Sequence, residues 1–123
     1  MIRVLLADDQ RVVREGLGTV LGLLEGIELV GTAADGEEAV ALAARHDPDV
    51  VLMDLRMPNM DGLQATRALR RQGCSVPVIA LTADPATLRR AEALEAGCDA
   101  CLSKPFKVDD LIASIRLSTR VAG

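Results

Sequence analysis

The chain has 123 residues, half of them hydrophobic, which fits one domain with a real core; with one Phe and no Trp or Tyr, that core must be aliphatic. A net charge of −4 and the near absence of aromatic rings argue against phosphate tracking and base stacking by this segment. Nothing resembles a signal peptide, no apolar run approaches the roughly 18 residues of a membrane span, and three cysteines in an acidic chain read as free thiols of a cytoplasmic protein.

Strand and helix patterns alternate along the chain. Residues 2–7 (IRVLLA) form a short apolar run that ends on two adjacent acids, Asp8 and Asp9. In 11–24, Val13, Leu17, Val20, Leu21 and Leu24 recur at helical spacing, although Gly16, Gly18 and Gly22 leave that helix dependent on packing. Residues 27–33 (IELVGTA) carry Glu28 and Thr32 and predict an edge strand. The Ala- and Glu-rich stretch 36–45 predicts a second helix, with His46 near its end as a helix-end cation. A buried strand follows at 50–53 (VVLM). A helix runs over 61–72, with Asp61 as N-cap and a stop before Gly73. The next strand spans 76–81 (VPVIAL), and the Asp84-Pro85 pair opens a helix that ends at Ala96-Gly97. A weaker strand pattern lies at 98–102, and the helix at 107–120 aligns Val108, Leu111, Ile112 and Ile115 as one stripe.

Five strand–helix units in series predict a parallel sheet covered by helices on both faces. In such open sheets, ligands bind at the carboxyl ends of the strands. The polar residues at those ends are Asp8 and Asp9, Asp54, Thr82, and Ser103-Lys104. In the common order 2-1-3-4-5, strands 1 and 3 are neighbours, so three aspartates converge on one rim beside a hydroxyl and an ammonium. Two like charges at 4 Å repel by roughly 4 kcal/mol at an effective dielectric of 20. One acid must then be protonated, or a cation must sit among them. An all-oxygen site on loops suits Mg²⁺, and Lys104 and Thr82 add a charge and a donor for a phosphoryl group in transit. Taken singly, each feature has a plainer reading: the acidic pair as a solvated turn, with Asp9 capping the first helix, and Lys104 as a surface charge. The joint placement at four strand ends favours chemistry. Without metal, the pair Asp8-Asp9 should be a local strain, and removal of either charge should stabilise the metal-free fold.

The stretches "LLADDQ" (5–10), "VVLMDLRMPNMDG" (50–62), "VIALTA" (78–83) and "LSKPF" (102–106) together resemble the receiver domain of bacterial two-component response regulators. The wording is most similar to the NarL/FixJ class, and the resemblance covers the whole chain as one receiver domain over 1–123. It implies a flavodoxin-like (βα)5 fold with strand order 2-1-3-4-5. It implies Asp54 as phospho-acceptor, and Mg²⁺ held by Asp8, Asp9, Asp54 and the main-chain carbonyl of Arg56, with Asp9 as direct ligand and Asp8 acting through water. Thr82 and Lys104 would answer the phosphoryl group, and Lys104-Pro105 would be a cis bond. Arg56 and Asp84 would overhang the site and set the lifetime of the phosphorylated state, while small Ala83 would leave access for the donor. A sensor histidine kinase is the implied donor, and a homodimer the implied phosphorylated state. DNA would be reached only through a separate output domain, for which this sequence has no segment. The domain would be a switch that catalyses only its own phosphorylation and dephosphorylation.

One departure stands out: where this family commonly has an aromatic ring three residues before the lysine, this chain has Cys101. Cys98 and Cys101 have Cys-x-x-Cys spacing, but residues three apart on a strand point to opposite faces. With Cys74 elsewhere and one histidine, a four-ligand metal site is not expected. Two competing functions fit less well. A phosphohydrolase of the haloacid dehalogenase type needs a second acid two residues after its nucleophile, where this chain has Arg56. A flavodoxin-like FMN carrier would not place Asp8 and Asp9 in its phosphate loop.

Overall fold

The computed structural model describes residues 1–83 and 86–120, and those of 86–88 and 120 by backbone alone. Its elements are β1 (Ile2–Ala7), α1 (Arg11–Leu23), β2 (Ile27–Ala33), α2 (Gly36–His46), β3 (Val50–Asp54), α3 (Gly62–Arg71), β4 (Val78–Thr82), α4 (Ala86–Ala96), β5 (Ala100–Ser103) and α5 (Val108–Arg120). The five strands form one parallel sheet in the order β2-β1-β3-β4-β5. No helix among the described residues is long and apolar enough to cross a membrane.

Strand alternation splits the core between two faces. Leu5, Ala7, Val51, Met53, Val78 and Ala80 pack with α2, α3 and α4 through Ala39, Ala43, Leu63, Leu69 and Ala93. Val4, Leu6, Val50, Leu52, Ile79 and Leu81 pack with α1 and α5 through Leu21, Leu111 and Ile115. All of these strand side chains are fully buried, each of the larger ones contributing about 1.5–3 kcal/mol. Short side chains on α2 and α4 let those helices sit close to the sheet, which is how a core with almost no rings fills its volume.

The predicted elements are present, with informative shifts at their ends. β4 starts at Val78 because Pro77 has no N–H for the ladder, and it runs on to Thr82. β3 likewise includes Asp54, so the acid leaves the sheet directly from its last rung. β5 begins at Ala100, so Cys98 precedes the strand and strand alternation does not govern it. Cys98 and Cys101 therefore pack into the same apolar cluster rather than on opposite faces. The α5 stripe also lacks one member, since Val108 at the helix start is 40% exposed. β2 is an edge strand, as predicted, with Glu28 and Thr32 facing solvent. His46 lies in the last turn of α2, at the helix end where it was expected.

The loop from β3 to α3 is fixed at both ends. Asp61 and Gln64 form a reciprocal capping box at the start of α3. Asn59, at φ 66°, donates from its side chain to the Asp35 carboxylate, which also caps α2. Gly62 packs on the backbone that leaves β3: a Cβ there would strike the Asp54 carbonyl and lie 2.9 Å from the Leu55 Cα. We expect Gly62→Ala to destabilise the chain by about 1–3 kcal/mol, since backbone must move. Gly16→Ala, in open space on α1, should stabilise it by about 0.5–1 kcal/mol. Urea unfolding of the two variants checks both signs.

Candidate functional site

β1, β3, β4 and β5 all end on the same edge of the sheet, and the polar residues at their ends meet there. Asp8 follows β1 and is fully buried; Asp54 ends β3 and is 7% exposed; Thr82 ends β4 and is 3% exposed. One oxygen from each of Asp8, Asp9 and Asp54 lies within 4.8 Å of the others. Lys104, one residue beyond β5, reaches back across the edge. Its Nζ donates to Asp8 Oδ2 at 3.0 Å and to Asp54 Oδ2 at 3.2 Å. Its backbone is held by a bond from Lys104 N to the Thr82 carbonyl at 2.7 Å, and the Lys104-Pro105 peptide is cis.

Asp8 is held at every polar atom it has. Its N–H donates to the Ala33 carbonyl at 2.9 Å, and its Oδ1 accepts from Gln10 N at 2.9 Å. Its Oδ2 accepts from Lys104, and its carbonyl accepts from Arg14 NH1 at 2.7 Å. Asp8 is thus paired at each polar atom even without metal, and its removal would take from the part-buried Lys104 ammonium one of its two carboxylate partners. Asp9 differs. It is exposed, and its side chain has no hydrogen-bond partner among the described residues. It does not cap α1, whose N-cap is Gln10 without a side-chain bond.

The electrostatics follow from this geometry. Burial raises the pKa of Asp54, and the charge of Asp8 adds to the rise. The Arg56 N–H, which donates to Asp54 Oδ1 at 3.0 Å, and the Lys104 ammonium oppose it without cancelling it. Burial works against the Lys104 ammonium, but its bond to the Asp8 carboxylate and the charge of Asp54 outweigh it and raise its pKa. One cation thus serves two acids, and a third acid stands beside them with none. This donor set fits a hard divalent cation: carboxylate oxygens only, gathered in a small space, with a deficit of positive charge.

The other expected site residues are distributed as follows. Ala83 is exposed beside Thr82, and Arg56 is exposed just after the acceptor strand. Asp84 lies outside the described residues. Cys101 sits half-buried on β5, paired in register with Ala80, and faces the α4 side of the sheet. Burial raises the pKa of its thiol, as it does for Cys98, whose Sγ lies 3.6 Å from the Thr66 hydroxyl. Sequence reasoning missed Arg14. A signal was available: Arg11 and Arg14 open α1, where the helix dipole disfavours cations and no acid is present.

A family model described as the response regulator receiver domain matches residues 4–116. The response regulator MprA of Mycobacterium sp. (strain KMS) is 41% identical over 119 residues, covering 97% of this chain and 51% of its own length. The signal receiver domain of the response regulator NarL from Mycobacterium tuberculosis superposes with a TM-score of 0.85 at 33% identity, covering 94% of this chain and 96% of that one. The receiver domain of a sensor histidine kinase from Pseudomonas aeruginosa PAO1, solved with a magnesium ion coordinated in its active site cleft, superposes with a TM-score of 0.87. It is 36% identical and covers 97% of this chain and 98% of that one. The chain spans about half the length of the curated relatives it matches.

The raised pKa of Asp54 sets a stability signature for the metal-free protein. A group whose folded pKa lies above its unfolded value of 3.8 favours the fold below that value and loses this contribution as pH rises through the folded pKa. At neutral pH the Asp54 charge is therefore carried at a cost. Asp54→Asn, neutral and isosteric, should unfold at a higher temperature than the parent at pH 7 in EDTA. The gap should close towards pH 4, as followed by circular dichroism.

Proposed function

The chain belongs to the response regulator receiver domains, and from that premise we propose that it is a phosphorylation-controlled switch with Asp54 as acceptor. The observation that carries this reading is the sharing of one ammonium, Lys104, between buried Asp8 and Asp54, with Asp9 alongside. Such a site is short of positive charge until a cation enters it, and with that cation it can take up the further negative charge of a phosphoryl group. Asp8, Asp9, Asp54 and the Arg56 main-chain carbonyl would hold Mg²⁺, Asp9 directly and Asp8 through water. When bound, Mg²⁺ supplies neutralisation of the acidic cluster and of the phosphoryl oxygens.

The chain's own residues would divide the remaining work. Asp54 offers a carboxylate oxygen to the phosphorus of a phosphohistidine on a sensor histidine kinase. The O–P bond forms as the N–P bond breaks, and the imidazole leaves with the electron pair. The Arg56 N–H, already on Asp54 Oδ1, would leave Oδ2, which accepts from Lys104, as the attacking oxygen. Lys104 then moves from pairing two carboxylates to pairing one of them and the phosphoryl group. Its main-chain bond to the Thr82 carbonyl ties that shift to the end of β4, where the Thr82 hydroxyl would follow the new oxygens. Arg56, Asp84 and Ala83 would set access for donor and water, and hence the lifetime of the acyl phosphate.

The output would be a changed surface on α4, β5 and α5, or on α1 and α5, that favours homodimerisation. A DNA-binding domain elsewhere in a longer cytoplasmic protein would read that change. With Cys101 in place of a ring, the coupling through β5 would involve a small volume change, so Thr82 and Lys104 would carry most of it. No enzymatic turnover of a separate substrate is part of this reading.

Acetyl phosphate with Mg²⁺ should phosphorylate the parent at one position, and Asp54→Ala should take up none, as read by intact-mass spectrometry. Incorporation that persists in Asp54→Ala would sink the assignment. Asp9→Ala should retain Asp54 but need far more Mg²⁺, with half-maximal incorporation shifted about ten- to a hundredfold upward.

A further inference from the structure

Asp9 presents a problem that the rest of the site does not. Its oxygen belongs to the acidic cluster, yet its side chain has no partner among the described residues to aim it. Its direction must then come from its backbone. The Asp8 carbonyl and the Asp9 N–H belong to one planar peptide unit, so whatever holds the carbonyl fixes the plane from which Asp9 departs. That carbonyl accepts a 2.7 Å bond from Arg14 NH1. Arg14 is half-buried, and its backbone N–H donates to the Gln10 carbonyl in the first turn of α1. The same helix start therefore holds both the far end of the loop and, through the guanidinium, its near end.

We propose that Arg14 is a positioning residue for the cation site: its bond to the Asp8 carbonyl sets the peptide plane that directs Asp9 into the acidic cluster. The proposal rests on reading that cluster as a cation site. It accounts for a feature otherwise unfavourable, a cation at a helix N-terminus without a side-chain cap. It also separates two effects of opposite sign. As a bare positive charge near the site, Arg14 would repel Mg²⁺, so its removal would tighten binding. As a tether for Asp9, its removal must weaken binding.

Calorimetric titration with Mg²⁺ suits this chain, which has no Trp or Tyr to report binding. Arg14→Met should bind Mg²⁺ about ten- to a hundredfold more weakly than the parent. Its rate of phosphorylation by acetyl phosphate should return to the parent's at saturating Mg²⁺, because the chemical groups are intact. Unchanged or tighter Mg²⁺ binding would overturn the proposal while leaving the cation site standing. A rate that stays low at saturating Mg²⁺ would also overturn it, because Arg14 would then act on the chemistry or the fold. A parent chain that binds no Mg²⁺ would overturn both the proposal and the site reading. Should Arg14→Met fail to fold, Arg14→Gln, neutral and shorter in reach, takes its place with the same outcomes.

Discussion

Two buried carboxylates sharing one ammonium is the constraint on which the rest of the site depends. Asp8 and Asp54 come from neighbouring strands, and Lys104 comes from the far edge of the sheet. Either acid alone with Lys104 would be an ordinary part-buried ion pair. Together they leave the cluster one positive charge short, and Asp9 makes it two. The sheet can tolerate this because Asp8 is satisfied at all its polar atoms, while Asp54 keeps its proton more readily than usual. The fold thus stores an unmet electrostatic demand at one place, and it does so with complete hydrogen bonding around the most buried member.

The strand order is what makes that arrangement possible. β1 lies between β2 and β3, and β4 between β3 and β5, so four strand ends fall in a row. Because parallel strands all point the same way, residues far apart in the chain share one rim. The loop after β3 cannot drift, since Gly62 lies against its backbone and Asn59 is tied to the α2 cap.

Much of this was legible in the sequence, and the reasons can be assigned residue by residue. Apolar runs of four to six residues ending on Asp8, Asp54 and Thr82 marked buried parallel strands, and alternation with helical periods gave the architecture. The acids and Lys104 were readable because polar residues at strand ends have no role in a core. Three things were not readable. Cys98 looked like a strand residue because its neighbours are small and apolar, and only the start of β5 at Ala100 shows that it is not. The two acids of the pair looked alike, whereas Asp8 donates to the Ala33 carbonyl and accepts from Lys104 and Arg14, and Asp9 has no such tertiary bond among the described residues. Arg14 was hidden because its partner is a carbonyl, which every residue has and no sequence pattern marks.

The opposite end of the sheet makes the asymmetry of the molecule plain. There Arg70 donates to the carbonyls of Cys74 and Val76 at 3.0 and 2.8 Å, and to that of Gly97 at 3.1 and 2.7 Å. It also meets Asp99, whose carboxylate accepts the Val78 N–H at 2.8 Å. One guanidinium thereby closes the α3–β4 and α4–β5 connections with donors matched to acceptors. The two ends use similar groups to opposite effect. At the Arg70 end, one cation meets backbone dipoles and a single carboxylate, so the local charge balances and the loops are fixed. At the Asp54 end, one cation meets two carboxylates with a third alongside, so balance requires something from outside the chain.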